Sequence, residues 1–146
     1  MDNASIRTLI LNTPLAEEEV SIPGWTANLK IRELDARTGS KLVEACTRAD
    51  GTMDQDGFIA GVILATLRNA DDPQDALVFS DEGTPDTYNA AYRDQLMTQT
   101  GLGKIMAVAN QSIKLSGLDT AAAKSDAKNV LSGTVVEGSL STSQPA

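Results

Sequence analysis

Histidine is absent from this chain of 146 residues, and its absence removes more chemistry than any other feature of the composition. Ser-His-Asp and Cys-His nucleophilic catalysis are excluded, together with histidine-ligated zinc and any histidine pH switch. Cysteine occurs once, at Cys46. No intrachain disulfide framework or cysteine-cluster metal site can therefore form, and the chain suits a reducing cytosol. Aromatic residues are confined to Trp25, Phe58, Phe79, Tyr88 and Tyr92, and 20 acidic against 12 basic residues give a net charge of -8. A nucleic-acid surface needs clustered Lys and Arg with stacking groups, so none is expected. The longest apolar run, Phe58 to Leu67, is about half of a membrane span, and the N-terminus has neither a basic flank nor a signal-peptide core. The expectation is a soluble intracellular protein, with no cofactor and no enzymatic activity.

What is present reads as alternating local periods. Ile6, Leu9 and Ile10 predict a short amphipathic helix over Asn3 to Asn12, capped by Ser5 or Asn3 and ended by Pro14. Val20 and Ile22 alternate before Pro23-Gly24, and Trp25, Ala27, Leu29 and Ile31 then share one face of a strand. Pro-Gly suits the centre of a type II turn, whereas tight hairpins prefer primed turns, so a loop wider than two residues is expected. Asp35 should cap a helix running to about Arg48, with Gly39 weakening its start. A second helix, about Gly57 to Asn69, is apolar on nearly every side and so should be central to the core. Ala76 to Phe79 reads as an extended segment on the core or one more sheet edge. Thr84-Pro85-Asp86 carries the cap, first-turn proline and first-turn acid of a helix to about Thr98. Leu102, Ile105, Met106, Ala109 and Ile113 then repeat at helical spacing until Ser116-Gly117, and Asp119 or Thr120 should cap a last, alanine-rich helix ending near Leu131. The predicted fold is α+β and mostly α: a small N-terminal β-hairpin packed on a bundle of about four to five helices. It forms a single domain over 1–132, with the short helix and hairpin in 1–34 and the helical part in 35–132, followed by a flexible polar tail over 133–146.

Few residues point to a reacting site. Asp50-Gly51-Thr52-Met53-Asp54-Gln55-Asp56-Gly57 resembles the start of a calcium-binding EF loop. With Gly57 at loop position six, however, Thr52 takes position one and Ile63 takes position twelve, so two first-rank oxygen ligands are missing. Asp54 or Asp56 is read instead as the cap of the second helix. Glu17-Glu18-Glu19 reads as a solvated face. Cys46, on an apolar helical face, reads as a buried structural residue, and a Ser40-Lys41 or Lys124-Ser125 dyad is unsupported because adjacent residues point in different directions on a helix. The stripe Leu102, Ile105, Met106, Ala109 and Ile113 is either core or a groove-lining face that receives a partner helix.

Taken in order, the elements from about Ile6 to Leu131 resemble the small tail assembly chaperones of long-tailed bacteriophages. The resemblance is carried by a short N-terminal helix, the acidic Glu17-Glu18-Glu19-Val20, the Ile22-Pro23-Gly24-Trp25 turn and the basic strand Leu29-Lys30-Ile31-Arg32-Glu33-Leu34. A helical middle, Asp72-Pro73 before Val78-Phe79, and a helix closing in Leu115-Ser116-Gly117-Leu118 complete it. It implies a non-enzymatic assembly factor in the host cytoplasm, absent from the mature virion. Its partner would be the tape measure protein, a long helix-rich chain held soluble until tail tube subunits polymerise around it. It also implies contact with the tail tube protein and a longer form of the same chain made by a programmed frameshift. The alternatives are a structural tail completion or connector protein and a small acidic calcium-binding module.

The charge is localised. Residues 50–86 hold nine acids and one base, Arg68, while the remainder is formally neutral. The middle of the chain is thus the like-charge-repelling side, and the hairpin and C-terminal helices are the less repulsive surfaces for a client.

Overall fold

The computed structural model of the chain describes residues 1–118; the predicted last helix and the polar tail lie outside the described residues. The described part is α+β and mostly α, with a three-stranded antiparallel sheet and five helices.

Helix α1 spans Asn3–Asn12 as its spacing predicts, but its cap is Asp2, whose carboxylate accepts from the Ser5 amide at 2.8 Å. It ends at Thr13, held extended by the following Pro14. Strands β1 (Glu17–Val20) and β2 (Leu29–Arg32) pair antiparallel from Glu17↔Arg32 to Val20↔Leu29. The second strand therefore starts four residues later than the Trp25 its alternation suggested. The Trp25 amide donates to the Ile22 carbonyl at 3.0 Å, and Gly24 has φ +92, a type II turn inside the wide loop Ser21–Asn28. That turn type splays strands, so the ladder closes only at Leu29, and Trp25 packs on the core from the loop.

Asp35 caps α2 (Ala36–Cys46), and Asp54 caps α3 (Gln55–Thr66) through the Gly57 amide, as read from the sequence. Helix α3 does not continue to Asn69. Leu67–Asn69 is strand β3, pairing with β2 from Ile31↔Leu67 to Leu29↔Asn69. No helix breaker marks the change; the free hydrogen-bonding edge of β2 takes the backbone that a further helical turn would have used. Residues 76–79 do form one more edge: the Val78 amide donates to the Leu67 carbonyl and the Asn69 amide to the Ala76 carbonyl, both at 2.9 Å.

The helix expected from Thr84-Pro85-Asp86 is absent there. The Pro85 carbonyl accepts from the Leu77 amide and the Asn89 amide donates to the Phe79 carbonyl, so this stretch pairs back on the preceding segment. Helix α4 begins only at Tyr92 and runs to Gln99; α5 spans Leu102–Leu115. Helix α3 is central, as its all-round apolarity predicts. One side of it meets Val20, Ile31 and Leu67 of the sheet with Leu96, Ile105, Val108 and Ala109. On the other side, Phe58 and Val62 pack with Leu42, Cys46 and Leu118. At Gly61 a Cβ would stand 2.5 Å from Leu42 Cδ1, so glycine sets the α2–α3 approach.

Candidate functional site

The predicted partner face divides on α5. Ile105 and Ala109 are buried among α3 and the sheet, Met106 and Ile113 are half-buried, and Leu102 is 75% exposed. Two of the five residues are therefore core and cannot receive a partner, because the apolar stripe is the one that seats α5 on α3. The hydroxyls of Thr66 and Ser112, both fully buried, meet at 2.9 Å across that contact.

Exposed apolar surface lies instead on α1, which has no buried residue. Leu9 is 59% exposed, Ile10 66% and Leu11 79%, and Ile6 shares the stripe with Leu9 and Ile10. The spacing that predicts this helix could not show that, among the described residues, nothing buries its apolar side chains. A second apolar feature is a groove of about 300 Å³ lined by Ile22, Pro23, Gly101, Gly103, Lys104 and Ala107. A Cβ at Gly101 or Gly103 would meet nothing within 4 Å, so neither position is glycine for want of space.

The outer face of the sheet is a lattice of ion pairs. Glu17 lies 2.7 Å from Arg32 Nε and 3.2 Å from Lys30 Nζ, and Asp75 lies 3.0 Å from Lys30 and 3.5 Å from Arg32. The hydrogen bond from Arg32 holds the Glu17 carboxyl below the usual range, and that from Lys30 does the same for Asp75. Arg68 is buried and donates from Nη1 to the Asp75 carbonyl and to Asp86 Oδ1, each at 2.8 Å. Period-two alternation places Lys30 and Arg32 on one face, but only the tertiary structure brings Asp75 over them, at a φ of +51. Not all the acids of residues 50–86 are free solubilising charges: Asp75 and Asp86 are paired, and Asp71 accepts from Asn28 Nδ2 at 3.1 Å.

In the loop that resembles an EF hand, Asp50 Oδ1 accepts from the Thr52 amide and hydroxyl, Asp54 caps α3, and Arg48 donates to the Met53 carbonyl. The carboxylates thus serve local turns, and among the described residues no three His, Cys, Asp or Glu side chains gather as a metal site. Cys46 is buried, and burial pushes its thiol pKa up, the opposite of an activated nucleophile. Among the described residues no helix is long and apolar enough to cross a membrane. No protein-family model, curated protein or solved structure matches the chain.

Proposed function

We propose that the protein is a phage tail assembly chaperone that binds the tape measure protein and keeps it soluble while tail tube subunits polymerise. The observation that carries this reading, beside the order of elements, is apolar helical surface left in water on an acidic body: Ile6, Leu9 and Ile10 of α1, and Leu102 with Met106 on α5. An amphipathic client helix lies on such a surface by its own apolar stripe, and the surrounding like charge opposes aggregation of the complex. Binding must be reversible, because the growing tube displaces it, which calls for a Kd on the order of micromolar, about -8 kcal/mol per contact. On this reading the protein acts in the host cytoplasm without catalysis, meets the tail tube protein during displacement, and stays out of the finished particle. A frameshifted longer form would share the same body.

The test is co-expression with a helix-rich tape measure fragment that is insoluble alone. The fragment should move to the soluble fraction and co-purify, and Leu9→Lys with Ile10→Lys should reduce its recovery. A fragment that stays in the pellet with and without the protein refutes the reading. Retention of the protein in purified particles would assign it to structural tail completion instead.

A further inference from the structure

We propose that the cavity between α2, α3 and the start of α4 binds a small organic carboxylate, its charge held by Lys41, Arg93 and the Tyr88 hydroxyl and its apolar body by Leu42, Ala45 and Ala65. The site shares no residue with the apolar surface of α1 and α5, and the inference does not rest on the chaperone reading.

The cavity measures about 370 Å³, within the range of small-ligand sites. Helix α2 forms one wall: Thr38, Lys41, Leu42 and Ala45 fall at i, i+3, i+4 and i+7 and so share a helical face. Ala65 comes from α3, Arg93 from the first turn of α4, and Tyr88 from the segment that precedes it. Cations from two separate elements therefore line one cavity, although the chain as a whole carries a net charge of -8.

The ligand class follows from which groups around the cavity are committed elsewhere. The Thr38 hydroxyl donates to Asp35 at 3.1 Å, and Asp54, the one acid of the lining, accepts from the Gly57 amide at 3.1 Å as the cap of α3. The Lys41 ammonium, the Arg93 guanidinium and the Tyr88 hydroxyl have no hydrogen-bond or ion-pair partner among the described residues. Lysine and arginine side chains only donate, so what completes this set is an acceptor. A carboxylate takes charge-assisted hydrogen bonds from both cations, and the planar guanidinium fork matches its two oxygens. Leu42, Ala45 and Ala65 offer the remainder of the ligand an aliphatic wall, which favours a carboxylate with an alkyl body over an inorganic anion.

The test is a titration of the isotope-labelled full chain with hexanoate, followed by its amide chemical shifts. Saturable shifts should centre on Lys41, Leu42, Ala45, Ala65 and Tyr88, with a Kd on the order of millimolar, as expected of so small a ligand. Acetate, which lacks the apolar body, and hexanol, which lacks the charge, should each bind roughly tenfold more weakly. Lys41→Gln, Arg93→Gln and Tyr88→Phe should each weaken hexanoate about tenfold, the loss of one hydrogen bond to a charged group. Lys41 and Arg93 are exposed and phenylalanine keeps the ring of Tyr88, so the spectra of the variants should otherwise match that of the parent. Absence of saturation, or shifts centred on another part of the chain, overturns the proposal. Hexanol binding as tightly as hexanoate overturns the anion assignment, as does hexanoate binding that survives Lys41→Gln combined with Arg93→Gln.

Discussion

The buried hydroxyl pair between α3 and α5 can be tested by a double-mutant cycle in which the sign of the coupling is fixed in advance. Thr66 Oγ1 lies 2.6 Å from the Val62 carbonyl and 2.9 Å from Ser112 Oγ, and both residues are fully buried. A hydroxyl has one proton, so if Thr66 gives its own to Val62 it accepts the proton of Ser112. Thr66→Val keeps the shape but leaves the Ser112 hydroxyl in the core without that partner, which costs about 1–3 kcal/mol. Ser112→Ala removes one hydrogen bond while Thr66 keeps the Val62 carbonyl, a loss of about 1 kcal/mol. The double variant strands no polar group and replaces both partners by apolar ones, which is close to neutral. It should therefore be more stable than Thr66→Val alone. Urea unfolding followed by circular dichroism measures the four free energies, and about 1 kcal/mol corresponds to roughly 3–5 °C in Tm for a chain of this size. Additive losses, with the double variant the least stable of the four, would refute the pairing and with it the assigned contact of α5 on α3.

Three further outcomes follow from the packing and the charges. Gly61→Ala should lose about 1 kcal/mol in the same unfolding experiment, because overpacking against Leu42 at 2.5 Å outweighs the better helix propensity of alanine, whereas Gly39→Ala, whose Cβ would meet Leu118 Cδ2 at an ordinary 3.8 Å, should gain up to about 1 kcal/mol. Glu17 and Asp75 have folded-state pKa values below their unfolded ones, so the stability they contribute is full above about pH 5 and is lost as pH falls through the folded values; the fall of Tm on acidification should be shallower in Asp75→Asn, since asparagine tolerates the left-handed backbone there. Cys46, buried with a raised pKa, should react with a thiol reagent at neutral pH only at the rate of unfolding, and rapid labelling of the native protein would contradict its placement between α2 and α3.

Local rules were sufficient wherever a segment settles its own geometry. Asp35 was legible as a cap, and Asp54 as one of two candidates beside Asp56, because a side chain three residues before the amide it accepts from needs no distant partner. The all-round apolar α3 could be nothing but central, and Pro23-Gly24 dictated its turn type. Local rules failed where two segments compete for one backbone. Leu67–Asn69 has helical context but lies at the open edge of β2, and Thr84-Pro85-Asp86 has every mark of a helix start but pairs with residues 77–79, where Asp86 also reaches Arg68. The candidate site shows the same division. Leu102, Ile105, Met106, Ala109 and Ile113 share a stripe by spacing alone, and spacing cannot say which of them another element covers.

By itself the sequence determined the missing chemistry, the mostly helical α+β class, the cap of α2 and the Pro-Gly turn, because composition and nearest-neighbour sterics act without knowledge of the fold. The tertiary structure decided that Ile105 and Ala109 are interior while α1 buries no residue against the described part of the chain, and that the acids near residue 75 lock a loop onto the sheet. Burial and ion pairing depend on segments distant in the chain, and their arrangement is fixed only when the whole core closes.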